Sequence, residues 1–232
     1  MILKRTALLF LLITASAVCI YAEASWSSAV GYFNLGKDLN PHRMNVLSKT
    51  YNGKGEIEKT EEMLYLLSYD ADGESVNELI RAIENGKDIT EKKKKETSRH
   101  GERGGGPPGN SEDFQKSPLD PDLQDDVSAS DTGIIQYKAG ERCVVWNFRM
   151  KLNNDLNAVG KAWISEKTGA AVSLIYQLEP DFPFVEEMNI GLNYITDGSG
   201  RWLLDELHFD GRINMIIMKK SFDSVTSFSD YR

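Results

Sequence analysis

The sequence predicts a mainly β (α+β) protein, an antiparallel meander whose apolar face is covered by N-terminal helices. Three observations carry this expectation. From Arg142 to Leu152 apolar side chains fall on alternate positions, Val144, Trp146, Phe148, Met150 and Leu152. That is the period of a strand with one buried face. It returns at Val172, Leu174, Tyr176 and Leu178, and again at Met188, Ile190, Leu192 and Tyr194. Turn-type clusters follow or separate these runs: Asn153-Asn154-Asp155, Lys167-Thr168-Gly169, Asp197-Gly198-Ser199-Gly200 and Asp210-Gly211. Connections this short join only antiparallel neighbours, because a parallel return needs about a dozen residues or more. Finally, Trp26, Val30 and Phe33 lie on one helical face, and Asn40-Pro41-His42 reads as an Asn cap with Pro at the first helical position. Two short amphipathic helices are therefore expected to cover the sheet.

Residues 1–24 stand apart from this domain. Lys4-Arg5, the apolar run Ala7 to Val18 and the small residues Ala22 and Ala24 form the three regions of a secretory signal cleaved near Ala24. This reading makes the protein periplasmic. The alternative is Ser16-Ala17-Val18-Cys19, a loose lipoprotein motif, with Cys19 as the lipidation site of a membrane-anchored form. Removing Lys4, Arg5 and Glu23 with the signal changes the net charge from −8 to −9. An acidic mature chain does not suit nucleic acid or an anionic membrane surface. Cys143 is then the sole cysteine, so no intramolecular disulfide is available.

Residues 25–232 read as a single domain. Ser25 to Lys49 holds the two helices. Glu56 to Thr60 reads as a polar edge strand, and Met63 to Tyr69 and Val76 to Ile83 flank the hairpin turn Asp70-Ala71-Asp72-Gly73. Leu79 to Ile83 also fits a helical turn. A short helix is expected around Glu91 to Thr97. From about residue 98 to 131 the chain turns to Gly, Pro and charge, with Gly104-Gly105-Gly106-Pro107-Pro108-Gly109 at its centre. Such composition buries too little apolar surface to offset the entropy of ordering it, so this stretch is expected to be a flexible insertion.

Chemistry-bearing residues do not assemble into a reactive set. His42, His100 and His208 have no metal-ligand spacing around them. Cys143 falls on the polar side of its strand's alternation and has no evident base to activate it. The glycine run lacks the strand, helix and Lys-Ser/Thr of a phosphate loop. Adjacent carboxylates such as Glu186-Glu187 and Asp205-Glu206 point to opposite faces of a strand. Asp70-Ala71-Asp72-Gly73-Glu74 only half fits a calcium loop. The expectation is a protein without catalytic residues, metal or cofactor.

The C-terminal residues resemble a known family. Gly160-Lys161-Ala162-Trp163-Ile164-Ser165-Glu166-Lys167-Thr168-Gly169, a strand ending in Leu178-Glu179-Pro180, then Tyr194 to Trp202, the Gly-bearing hairpin Asp210-Gly211 and the closing Val225 to Tyr231 follow in an order similar to the outer-membrane lipoprotein-sorting superfamily of the LolA/LolB and RseB type. The resemblance implies an unclosed β-barrel around a helical plug, with an apolar cavity for lipid or the acyl chains of lipoproteins. Trp146, Phe148, Met150, Leu174, Tyr176, Ile190 and Leu192 are then the candidate lining. It implies a monomeric periplasmic carrier whose partner is a lipid or acylated lipoprotein. The alternative is an envelope sensor or protein-interaction module of the same fold, meeting envelope proteins through Lys92–Lys95 and the acidic loop. The residues alone permit either an open cavity or a dry core.

Overall fold

A computed structural model describes residues 24–70, 75–99, 116–153, 155–179, 184–197, 199–215 and 218–232. The signal segment and most of the expected hairpin turn at 70–73 lie outside the described residues, as do 100–115 of the expected insertion. The chain forms helix α1 (Trp26–Gly36), strands β1 (Pro41–Tyr51), β2 (Ile57–Tyr69), β3 (Ser75–Glu84) and β4 (Lys87–Asp88), and helix α2 (Thr90–Arg99). After a 3-10 turn at Pro121–Asp126 come β5 (Val127–Lys138), β6 (Glu141–Lys151), β7 (Asn157–Ser165), β8 (Ala171–Glu179), β9 (Val185–Thr196), β10 (Trp202–Met215) and β11 (Met218–Tyr231). All eleven strands join one sheet in the order β4-β3-β2-β1-β11-β10-β9-β8-β7-β6-β5. Every pairing is antiparallel, and β4 and β5 are the two edges. The sheet is not closed.

The register explains why one face is apolar across nearly the whole sheet. Trp146, Ala162, Leu174, Leu192, Leu207, Thr226, Val46 and Met63 form one cross-strand row. A second row runs Phe148, Gly160, Tyr176, Ile190 and Phe209. Because side chains alternate, all of these point to the same side, the inner face. The inner face carries two clusters. The larger spans β6 to β10 and packs against α1; the smaller centres on Met44, Val46, Tyr65 and Leu67.

Several expectations are revised. The second N-terminal helix does not form: Pro41 opens strand β1 instead, opposite Tyr231. Proline suits the first residue of a strand as well as the first of a helix. Here Met44 and Val46, two apart, are buried between β11 and β2. The polar stretch at 56–60 begins β2 and pairs there with β1 alone, whereas from Glu61 onward β2 lies between β1 and β3, so the strand as a whole is not an edge. Val76 to Ile83 is strand, as expected, so the helical alternative for Leu79 to Ile83 drops, and a bulge lies opposite Leu64 and Tyr65.

Asp210-Gly211 is not a turn. It lies inside β10, and Gly211 is there for space: a Cβ would come within 2.6 Å of the Phe222 ring and 2.8 Å of the Glu187 carbonyl oxygen. The chain reverses a few residues later, where Met215 pairs with Met218.

The expected insertion to residue 131 also ends sooner than composition indicated. Ser117 to Leu119 are buried, Asp120 caps the 3-10 turn, and β5 starts at Val127. Leu119 buries in the core and Leu123 packs against it, which fixes that segment.

Candidate apolar binding face

Helix α1 is built to cover the inner face. Ser25 caps it, its hydroxyl accepting from the Ser28 N–H at 3.2 Å. Trp26, Val30 and Phe33 pack on the larger cluster as their spacing predicts, joined by the buried Ala29. The Trp26 ring lies 5.8 Å from Phe148 and 6.4 Å from Trp146. At the other end Gly36 rests on the backbone of Trp202, where a Cβ would sit 2.3 Å from the carbonyl oxygen. Only glycine lets the last turn approach β10 that closely.

A second piece of cover comes from the segment before β5. Gln124 ties it together, its amide donating to the carbonyls of Pro118 (3.0 Å) and Asp120 (2.7 Å) while its oxygen accepts from Trp26 Nε1 (2.9 Å). Lys37 and Asp122 form an exposed ion pair at 3.2 Å, and Trp146 Nε1 donates to the Ala24 carbonyl at 3.2 Å. Few polar contacts therefore hold α1 down, and its attachment is mostly apolar.

The structure brings all seven sequence-selected residues into this one cluster. Phe148, Met150, Leu174, Tyr176, Ile190 and Leu192 are between 0% and 7% exposed, and Trp146 is half-buried. With α1 in place the β6 to β9 part of the face is covered. Phe148 and Tyr176 meet edge to face at 6.2 Å across Gly160, whose own Cβ would lie 2.1 Å from the Ile175 carbonyl. The stripe Ala158, Gly160 and Ala162 on β7 thus makes room for the large side chains on either side. That stripe was legible as a period-two pattern but carried no large apolar residue to attract notice. Trp202, Leu207, Phe209 and Leu119 were also missed; their partners are distant in sequence.

Burial governs the ionisable groups here. It pushes the Tyr194 phenol up to about 12, and lifts Tyr176 well above its ordinary range. Cys143 is buried rather than exposed, opposite the buried Ser165, and its thiol is pushed up to about 11 chiefly by that burial. Alternation does put Cys143 on the side away from Val144 and Trp146, as expected, but it is buried there rather than open to water. A thiol raised in this way is the opposite of an activated nucleophile. Among the described residues no group of three or more His, Cys, Asp and Glu side chains could hold a metal ion. Also among the described residues, no helix is long and apolar enough to cross a membrane.

No protein-family model matches the chain, and neither does any curated protein. Solved structures similar to it include a DUF1329 family protein from Desulfovibrio piger, at 10% identity and a TM-score of 0.39, covering 91% of this chain and 92% of that one. A putative outer membrane lipoprotein-sorting protein domain from Vibrio parahaemolyticus is similar at 10% identity and a TM-score of 0.38, covering 90% and 93%. A LolA superfamily protein, NE2245, from Nitrosomonas europaea follows at 7% identity and a TM-score of 0.37, covering 88% and 92%.

Proposed function

We propose that this chain is an exported, non-catalytic binding or carrier protein that takes acyl chains of lipids or lipoproteins on its inner face, in outer-membrane lipoprotein sorting. One observation carries the reading. The apolar rows through Trp146 and Phe148 run unbroken from β6 to β10, and part of their cover is a single helix of 11 residues. A helix that short is marginal on its own in water, so its place depends on the contacts it makes. The sheet beneath is held by continuous ladders. Displacing α1 uncovers Trp146, Phe148 and their neighbours while the sheet persists, and an acyl chain laid there regains the buried apolar area.

Purification of the full chain from its native envelope, followed by mass spectrometry, tests this. The expected result is an associated acyl lipid or acylated lipoprotein and a mature N-terminus at Ser25. A protein that carries neither and takes up no fluorescent fatty acyl probe overturns the reading; a diacylglyceryl group on Cys19 replaces the soluble form with an anchored one.

A second reading, an interaction module that meets envelope proteins, has its own observation. Edge strand β5 exposes Ile134, Ile135 and Tyr137. An open edge with apolar side chains suits strand addition by a partner. A stable protein complex free of lipid favours this reading over the first.

A further inference from the structure

Edge strand β5 is blunted over its first half and open over its second. Between Asp131 and Ile134 its ladder to β6 breaks register, and the chain satisfies itself locally. Gly133 N–H donates to Asp131 Oδ1 at 2.7 Å, Ile134 N–H to Thr132 Oγ1 at 3.1 Å, and Thr132 Oγ1 to the Val145 carbonyl at 2.6 Å. From Ile134 to Lys138 the pairing is regular, yet Ile134, Ile135 and Tyr137 are 50%, 46% and 77% exposed. The turn that follows fixes which backbone groups face outward. Ala139 and Gly140 both have positive φ, +49° and +82°, in a two-residue hairpin closed by Lys138 opposite Glu141. Such a closing pair exchanges both of its hydrogen bonds, and bonded pairs then alternate along the strand. Lys138, Gln136 and Ile134 therefore bond to β6, while Ile135 and Tyr137 turn their N–H and C=O groups away from the sheet.

We propose that the segment Ile134–Lys138 pairs antiparallel with the same segment of a second copy of this chain. The segment is its own complement. A two-fold axis through Gln136 sets Ile135 opposite Tyr137 of the partner subunit, and Tyr137 opposite Ile135 of the partner subunit. These are the positions whose backbone groups point outward in both copies, so each pair can exchange two hydrogen bonds. Their side chains share the inner face, where an aromatic ring beside a β-branched side chain is a favourable cross-strand pair. On the outer face Ile134 meets the stem of Lys138 of the partner subunit, and no like charges stand opposite one another. The Lys138 ammonium lies 5.0 Å from the centre of the Trp163 ring on β7, drawn away from the seam. Moving the axis to Ile135 draws in Gly133, and moving it to Tyr137 draws in Ala139 of the turn. Gln136 is thus the centre that uses regular strand alone. Association stops at two copies, because the pairing consumes β5 in both and the other edge, β4, is 2 residues long. The proposal rests on the open edge of the second reading above and names its occupant, in place of the monomer that the family resemblance implies.

Sedimentation and cysteine cross-linking of the full chain test this, with Cys19→Ser leaving the buried Cys143 as its sole cysteine. A seam this short buries well under the roughly 1,600 Å² of a standard interface, so a reversible, concentration-dependent dimer is expected. Gln136→Cys should cross-link to its copy on diamide oxidation, because the unbonded pair at the axis brings the Cα atoms to about 4.5 Å, within disulfide range. Ile134→Cys should not, since its two copies lie four residues apart along the seam. Tyr137→Pro removes an outward N–H from each copy and should weaken the dimer about tenfold or more. Val76→Lys, at an exposed apolar residue of β3, should leave it unchanged. The proposal is overturned by a chain that stays monomeric to about 1 mM, by cross-linking at 134 as strong as at 136, or by a dimer that Tyr137→Pro does not weaken. Should Tyr137→Pro fail to fold, cross-linking at 136 against 134 decides. A monomer that still holds a different protein through β5, lost in Tyr137→Pro, overturns self-pairing and leaves the interaction reading standing.

Discussion

Replacing Trp26 with alanine probes how tightly the inner face is closed. The ring touches two aromatic side chains, at 5.8 and 6.4 Å, and its N–H donates to Gln124 at 2.9 Å. Truncating a fully buried Trp costs roughly 3–5 kcal/mol. Trp26 is only partly buried, which lowers that figure, while the aromatic pairs add about 0.5–1.5 kcal/mol each beyond area. A loss of about 3 kcal/mol follows. In the proposed carrier this amount is Trp26's share of the gap between the closed face and the open one, because the ring's contacts exist only when α1 is docked. Removing them therefore makes opening easier, and apparent affinity for an acyl probe should rise by as much as about 100-fold. The assay is urea unfolding of parent and variant beside titration with a fluorescent fatty acyl probe. Lower stability together with unchanged or weaker probe binding would refute the reasoning, since α1 would then be part of a static core.

Two further outcomes follow from the same contacts. Gly160→Ala should lower the thermal midpoint sharply, because the new Cβ lands on the Ile175 backbone oxygen, whereas Gly31→Ala, where no atom lies within 4 Å, should be neutral or stabilise by up to about 1 kcal/mol; equal effects at the two sites would contradict the close approach of β7 and β8. Alkaline pH should destabilise the protein in a definite window. Burial holds the Tyr176, Tyr194 and Tyr231 phenols above the ordinary value of 10.0, Tyr194 at about 12. The unfolded chain loses these protons first, so their stabilising effect is complete below pH 10 and is lost as pH rises toward 12. Phenolate absorbance should then appear in step with unfolding; phenolate forming from these tyrosines near pH 10 in the folded state would show that they are open to water.

The sequence made the middle of the sheet legible and its ends much less so. Strands β6, β8 and β9 declare themselves because one face is large and apolar while the other is polar, and the seven residues chosen from them do meet. Strand β1 was hidden by Asn40-Pro41, which satisfies the rules for a helix start and for a strand start alike; only its pairing with β2 and with β11, the latter far away in sequence, settles it. Gly211 reads as a turn from its neighbours, yet its purpose is to admit the Phe222 ring. Leu119 and Leu123 are two apolar residues in a polar stretch, too few for a periodicity to mark them. The closed state of the inner face was not legible at all, because it depends on how α1 and the 117–126 segment settle on strands already assembled.

Bromine-labelled fatty acid tests the central claim most directly, since bromine quenches a tryptophan only at close range. All four tryptophans touch the larger cluster, but Trp26, Trp146 and Trp202 do so from the inner face, whereas Trp163 alternates with the inner Ala162 and Ile164 and donates to Gln136 at 2.9 Å on the outer side. One variant keeps Trp146 alone and another keeps Trp163 alone, the remaining tryptophans being changed to phenylalanine. The account predicts saturable quenching of Trp146 and none of Trp163. Quenching of neither, or of both equally, would contradict an inner face that opens to receive acyl chains.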